Sequence, residues 1–291
     1  MQSQKDVAAT PLQPIVLPPS LPLDQIILGD NCEVMRTLPS ESIDLVVTSP
    51  PYDNLRTYGG HSWDFEGVAN QLWRVIKPGG VVVWVVADAT IDGSETGTSF
   101  RQALRFMEIG FRLHDTMIWD KGGFTGVGSV QCRYGPSSEF MFVLSRGTPS
   151  TTNLLKDRKN KYRKMGGDAV RQANGSVAIG DRGGRAFDEF GYRENIWYYA
   201  VGGGNIGDAI CHNHPAPFPE ALARDHILSW SNEGDIVLDP FSGSGTTAKM
   251  AKLMGRKSIG IEINPEYCEI ARKRLRQNVF DFSVDTTDPV R

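Results

Sequence analysis

The chain has 291 residues, 40% of them hydrophobic and 22% charged, with a formal net charge of −3. A chain of this length buries about three quarters of the surface its unfolded form exposes, so disordered, collagen-like and fibrous classes are excluded. The whole-chain charge lends no support to a nucleic-acid partner, although local patches count for more than the sum.

Residues 1–23 are rich in Pro and Gln and lack a basic stretch followed by an apolar block, so they read as an extended arm rather than a signal peptide. Gln25–Leu28 is a short apolar strand ending at Gly29-Asp30, and Cys32–Leu38 a short helix or turn. Ile43–Thr48 (IDLVVT) is a buried strand running into Ser49-Pro50-Pro51-Tyr52. A helix is expected from about Phe65 to Ile76, stopped by Lys77-Pro78-Gly79-Gly80. Val81–Val86 (VVVWVV) is continuous and mostly β-branched, the pattern of a strand covered on both faces. Phe100–Ile109 reads as a helix, and Arg112–Trp119 and Glu139–Leu144 as strands.

From about Thr148 to Asn195 the sequence turns polar, Gly-rich and aperiodic. Lys156–Lys164 holds six cations (Lys156, Arg158, Lys159, Lys161, Arg163 and Lys164) against the single acid Asp157. Regular structure then returns: Pro219–Ser231 as a helix, Ile236–Leu238 as a strand closed by Asp239-Pro240, Ser244–Met254 as a helix and Ser258–Ile263 as a strand. Asn264 is a candidate N-cap with Pro265 at the first helical position, before a helix to about Asn278. Strands alternating with helices imply an α/β fold with a doubly wound, mostly parallel sheet.

Two turns carry chemistry. Asp239-Pro-Phe-Ser-Gly-Ser-Gly-Thr-Thr247 follows a strand and opens a helix, and Gly243 and Gly245 allow a tight turn with close backbone approach to a ligand. The next strand ends at Glu262, an acid placed to accept both hydroxyls of a ribose. A third glycine at dinucleotide spacing is missing, as is the GK[ST] of a phosphate loop. In Thr48-Ser49-Pro50-Pro51-Tyr52, two prolines remove N–H donors and hold the local carbonyls rigidly. The Ser49 hydroxyl, the Pro50 carbonyl and the Tyr52 ring could grip a planar amine that needs orientation. A ligand-free strand–helix turn and a rigid β-turn with a packed Tyr are the plainer readings of the two segments.

Taken together, TSPPY at 48–52 and DPFSGSGTT at 239–247 resemble the catalytic and cofactor motifs of the DNA amino-methyltransferases that use S-adenosyl-methionine. The order of the motifs, catalytic first and cofactor last around a variable basic region, resembles the β group of that family. Further similarity lies in Gly29-Asp30, LPSESIDL, LWRVIKPGG, Trp119-Asp120-Lys121 and His214-Pro-Ala-Pro-Phe-Pro-Glu220, so that the likeness spans about 24–278.

The resemblance implies a Rossmann-like methyltransferase sheet, circularly permuted, with an inserted DNA-recognition region. The expected divisions are an arm (1–23), a catalytic half (24–147), a target-recognition insert (148–211) and a cofactor-binding half (212–291). It implies direct methyl transfer onto an exocyclic amine of a base flipped from duplex DNA, with Ser49, Pro50, Pro51 and Tyr52 as the catalytic turn. Cofactor contacts fall on Asp30, Pro215, Phe218, Asp239, Phe241, Gly243, Ser244, Gly245, Thr246 and Glu262. The cations of 156–164 would touch phosphates.

Ser before PPY is, in the family, mostly a mark of cytosine-N4 enzymes and points there. Adenine N6 is the alternative, followed by an RNA or protein-glutamine methyltransferase and by a DNA-binding module without activity. Many members dimerise, which leaves a homodimer open.

Four scattered cysteines, without a CxxC pair, indicate neither a disulfide framework nor a zinc cage and fit a reducing compartment. His212-Asn213-His214 lacks a third ligand, so no metal is expected. No apolar run approaches the roughly 18–20 residues that span a membrane, and a cytoplasmic location is the default. Lys249, Lys252, Arg256 and Lys257, and the Arg272–Arg276 cluster, are expected to be solvated.

Overall fold

A computed structural model describes residues 20–52, 63–123, 133–160, 168–180, 188–201 and 219–276. The elements follow in the order β1 (Gln25–Leu28), α1 (Asn31–Thr37), β2 (Ile43–Thr48), α2 (Phe65–Val75), β3 (Ile76–Val86), β4 (Thr90–Ile91), β5 (Ser94–Glu95), α3 (Thr98–Ile109), β6 (Arg112–Asp120) and β7 (Ser138–Ser145). The second half holds β8 (Arg158–Lys159), β9 (Asp168–Arg171), β10 (Val177–Gly180), β11 (Phe190–Gly191), β12 (Ile196–Tyr198), α4 (Glu220–Trp230), β13 (Ile236–Asp239), α5 (Thr246–Leu253), β14 (Lys257–Glu262) and α6 (Pro265–Arg276).

One eight-stranded sheet, in the order β1-β14-β13-β2-β3-β7-β6-β12, organises the chain. Its first five strands run parallel, and β7 is antiparallel to both β3 and β6. The expected doubly wound α/β sheet is therefore present. Its edge strand β12 directly follows the polar middle segment and pairs parallel with β6.

The β-branched run of β3 explains why both faces are covered. Val82, Trp84 and Val86 face a core shared with Val34, Met35, Leu72 and Phe106 of α1, α2 and α3. Val81, Val83 and Val85 face a second core with Leu222, Ile227, Met250 and Ala251 of α4 and α5. This two-residue alternation is what a strand imposes. Trp84 is fully buried and its indole N–H donates to Gln102 Oε1 at 2.9 Å, so its one polar atom is satisfied.

The segment expected to end α2 does something more: Lys77–Gly80 is already part of β3. The β2–β3 register slips between Ile43 and Leu45, and such a bulge accommodates Pro78 inside a strand. At α6, the expected cap is present: Asn264 Oδ1 accepts from the amides of Glu266 (2.8 Å) and Tyr267 (3.4 Å).

The basic helix ends depart from expectation in part: Lys252, Lys257, Lys273 and Arg276 are exposed as expected, and Arg274, Arg256 and Lys249 are not. Arg274 is 1% exposed, and its guanidinium donates to Ser244 O (2.7 Å), Thr246 Oγ1 (3.2 Å) and Glu220 Oε1 (2.6 Å). Arg256 is also buried, donating to Ser231 O at 2.6 Å, and Lys249 pairs with Glu220 at 2.8 Å. For Arg274 the cause is the tight approach of α5 to α6, where Ala271 lies so close to Gly245 that a Cβ there would come within 2.8 Å of it. Arg256 and Lys249 instead reach toward α4, to Ser231 and Glu220.

A second polar network ties the middle segment to α4. Arg193 pairs with Asp225 at 2.7 Å and also with Asp157, and Tyr199 donates to Asp225 Oδ2 at 2.6 Å. Burial pushes the Asp225 carboxyl up, but Arg224, Tyr199 and Arg193 outweigh it and hold the carboxyl below its usual range. Beside it, Trp197 stacks on the buried His226 at 4.5 Å, and the Trp230 indole donates to His226 Nδ1 at 3.2 Å. Burial drives His226 down to about 3, so it is neutral.

Candidate active site

The two turns singled out in the sequence leave the sheet side by side. Leu45 and Val46 of β2 are in register with Val237 and Leu238 of β13. Both turns therefore start at the carboxyl ends of adjacent parallel strands, where open α/β sheets bind ligands. Thr48 Oγ1 donates to Asp239 Oδ1 at 2.7 Å, and Thr247 Oγ1 donates to Val47 O at 3.0 Å. Asp239 Oδ1 also accepts from the Phe241 amide at 3.1 Å. Burial pushes the Asp239 carboxyl up to about 6, although the hydrogen bonds from Thr48, Phe241 and Thr247 work against the rise.

The Gly-rich stretch makes the tight turn expected of it. Gly243 and Gly245 have φ of 49° and 81°, the left-handed region that side chains disfavour. Ser244 and Thr246 are buried beneath the turn, where Arg274 holds them. Glu262 closes the turn from the next strand: its Oε2 accepts from the Gly243 amide and its Oε1 from the Asn264 amide, both at 2.8 Å.

Asp30 stands on the neighbouring strand tip, because β1 and β14 are parallel with Leu28 opposite Glu262. Its Oδ1 caps α1 by accepting from the Glu33 amide at 3.0 Å. The next residue, Asn31, donates to Pro240 O at 3.3 Å and brings α1 against the Gly-rich turn. Phe241 lies edge-on to Trp63, with ring centroids 5.0 Å apart. Two carboxylates on adjacent strand tips, a positive-φ glycine turn and an aromatic ring are thus brought together. That donor and acceptor set suits a ligand with a ribose, a planar base and no phosphate. Pro215 and Phe218 lie outside the described residues.

At the Ser-Pro-Pro-Tyr turn, Ser49 Oγ lies 2.8 Å from the Tyr52 hydroxyl, which donates to Glu139 Oε2 at 2.8 Å. Lys121 pairs with the other oxygen, Glu139 Oε1, at 2.7 Å. Sequence reasoning placed Lys121 in a family-like segment without giving it a role, passed over Glu139, Trp63 and Asn31, and counted Arg274 among solvated cations. Glu139 carries no local signal, since it opens a strand 87 residues from Tyr52 and only sheet pairing brings it there.

The basic segment is partly neutralised. Lys156 pairs with Asp188, and Arg158 lies 3.5 Å from Glu194, while Lys159 has no ion-pair partner among the described residues. Lys161, Arg163, Lys164 and His212-Asn213-His214 fall outside those residues. Among the described residues no His, Cys, Asp and Glu group could hold a metal, and no helix is long and apolar enough to cross a membrane.

Comparison with known proteins agrees with this geometry. A family model of N6 and N4 methyltransferases, described as DNA methylase, matches residues 43–273. The orphan methyltransferase M.BamHII of Bacillus amyloliquefaciens is 54% identical over 250 residues, covering 82% of this chain and 90% of that protein. The DNA adenine methyltransferase YhdJ of Escherichia coli strain K12 is 30% identical over 263 residues, covering 86% of this chain and 82% of YhdJ. Among solved structures, PvuII DNA methyltransferase, named cytosine-N4-specific, shares the fold with a TM-score of 0.62 at 22% identity, over 88% of this chain and 87% of that one. TTHA0409, a putative DNA modification methylase from Thermus thermophilus complexed with S-adenosyl-L-methionine, matches with a TM-score of 0.56 at 26% identity, over 86% of this chain and 94% of that one.

Proposed function

This chain belongs to the DNA methylase family of N6 and N4 methyltransferases, and on that premise we propose that it methylates cytosine N4 in duplex DNA after flipping the base from the stack. The observation that carries the proposal is the Thr48–Asp239 hydrogen bond, which fixes the amine-gripping turn beside the Gly-rich turn. A methyl donor in one turn and an extruded base in the other would be neighbours, as direct transfer requires.

The cofactor of the family is S-adenosyl-methionine, and this set of groups suits it. Glu262 would take the ribose hydroxyls. Asp30 and Phe241 would flank the adenine, and Asp239 would lie toward the methionine end. When bound, the cofactor supplies a methyl group made electrophilic by an adjacent sulfonium charge.

The chain's own residues do the rest. Ser49 Oγ and the Pro50 carbonyl would accept the two N–H bonds of an exocyclic amine. That draws the nitrogen away from conjugation with the ring and aims its lone pair at the donor. Pro51 would keep the turn rigid and Tyr52 would stack on the base. Lys156, Arg158 and Lys159, with Lys161, Arg163 and Lys164, would neutralise phosphates. The remainder of the polar middle segment would read the sequence.

Ser49 in the first position of the turn favours cytosine. The second reading, adenine N6, has support from the similarity to YhdJ. Tritiated methyl transfer to duplex DNA followed by nucleoside mass spectrometry tests both. The expected product is N4-methylcytosine; N6-methyladenine moves the assignment to the second reading, and transfer to RNA or protein alone overturns both.

A further inference from the structure

We propose that Glu139, held by Lys121, is a positioning residue that sets the direction of the hydrogen-bond chain at the catalytic turn. Through that chain the site selects an exocyclic amine over a ring carbonyl. The proposal deepens the functional reading above and rests on it.

Counting protons gives the direction of the chain. An ionised carboxylate has no proton to give and can only accept. Glu139 Oε1 faces the Lys121 ammonium at 2.7 Å and Oε2 faces the Tyr52 hydroxyl at 2.8 Å. The tyrosine has one hydroxyl proton, and Glu139 takes it. In the 2.8 Å contact between Ser49 Oγ and Tyr52, the serine must then be the donor. With its single proton directed at Tyr52, Ser49 Oγ offers only lone pairs to anything arriving from the cofactor side.

An amine N–H meeting those lone pairs makes a hydrogen bond. A carbonyl oxygen in the same place meets acceptor against acceptor, and a buried acceptor left unpaired is costly. Cytosine and adenine carry an amine at that position, whereas thymine and guanine carry a carbonyl, so the same polarity serves either target base.

Lys121 and Glu139 are only 15% and 11% exposed at their side chains. Glu139 stands in β7 and Lys121 directly follows β6; the two strands pair antiparallel with Trp119 opposite Glu139, and the Lys121 amide donates to Ser137 O at 2.8 Å. These backbone hydrogen bonds keep the pair in place without help from the substrate.

The test compares binding of two duplexes that carry the enzyme's own site, mapped beforehand by sequencing DNA the enzyme has methylated. One holds the target base, and the other holds its deaminated counterpart (uracil for cytosine, hypoxanthine for adenine), which replaces the amine with a carbonyl. The ratio of the two affinities is measured for wild type and variants. Any ease of flipping a mismatched base cancels between enzymes, because the duplexes are the same.

Glu139→Gln, whose amide can donate, should narrow the ratio about tenfold, the size of one hydrogen bond. It should slow single-turnover methyl transfer by a similar factor and leave S-adenosyl-methionine affinity, measured by calorimetry, unchanged. Glu139→Asp, still only an acceptor, should keep the wild-type ratio. Tyr52→Phe, which cuts the chain, should narrow the ratio too, and adding Glu139→Gln to it should change little further.

An unchanged ratio in Glu139→Gln, or a second full loss when it is added to Tyr52→Phe, overturns the polarity while the functional reading stands. A wild-type enzyme that transfers no methyl to DNA overturns the functional reading and the polarity with it.

Discussion

Thr48 and Asp239 lie 191 residues apart in the chain, and the threonine hydroxyl donates to the aspartate carboxylate at 2.7 Å in a fully buried position. The bond joins the last residue before the Ser-Pro-Pro-Tyr turn to the first residue of the Gly-rich turn. Thr48→Val keeps the shape and leaves Asp239 short of one donor, so a loss of about 1–3 kcal/mol in unfolding free energy is expected. Urea denaturation measures it, and a change within about 0.3 kcal/mol would contradict the structural weight given to this bond.

Asp239 also predicts a pH signature. Its carboxyl is raised from about 3.8 to about 6 by burial, so the folded protein binds that proton more tightly than the unfolded chain. The resulting stabilisation is present below pH 4 and lost as pH rises through 6. Relative to Asp239→Asn, wild type should lose about 2–3 kcal/mol of unfolding free energy between about pH 4 and 7. A pH-independent difference between the two proteins would be inconsistent with a raised carboxyl.

His226 acts in the opposite sense. Its folded value is near 3 against 6.5 in the unfolded chain, so the unfolded chain takes up the proton first. Stability from the neutral ring is whole above pH 6.5 and declines as pH falls toward 3. On the order of 3 kcal/mol should disappear between about pH 6.5 and 4. His226→Gln should show a shallower acid slope in the same range.

Arg274 is a cation with no access to water, held by Ser244 O, Thr246 Oγ1 and Glu220. Arg274→Met is expected to cost about 3–5 kcal/mol of stability, because a buried polar set loses its partner. It should also weaken cofactor binding, since it frees the loop that carries Gly243 and Gly245. Denaturation and calorimetry on the same variant check the two effects.

Ser49→Ala should lower turnover by about a hundredfold, the scale of losing one preorganised contact to a reacting group, with S-adenosyl-methionine affinity intact. In DNA binding, Lys159→Ala should reduce the slope of log affinity against log salt by about 1. Lys156→Ala and Arg158→Ala should change it less, because those cations already face Asp188 and Glu194. Equal slopes for all three variants would contradict that difference.

Much of the architecture could be read from local pattern. The valine run of β3 announced a strand covered on both faces, Asn264-Pro265 announced a helix start, and the glycines at 243 and 245 announced a turn with positive φ. Each of these depends on residues within a few positions of one another, where sterics and backbone hydrogen bonding act directly. The chemistry of the Ser49–Tyr52 turn was legible for the same reason.

The partners of those turns were not. Glu139 reaches Tyr52 only because β7 lies beside β3 in the sheet, Lys121 reaches Glu139 only because β6 pairs with β7, and Arg274 is buried only because α6 packs against α5. Strand order and helix contact join residues tens to hundreds of positions apart, and no spacing along the chain encodes such a meeting. The sequence by itself determined the residue types and local backbone of the two turns. The tertiary structure decided which charges stand behind them, because an ion pair or a buried cation is defined by distance in space and by the exclusion of water.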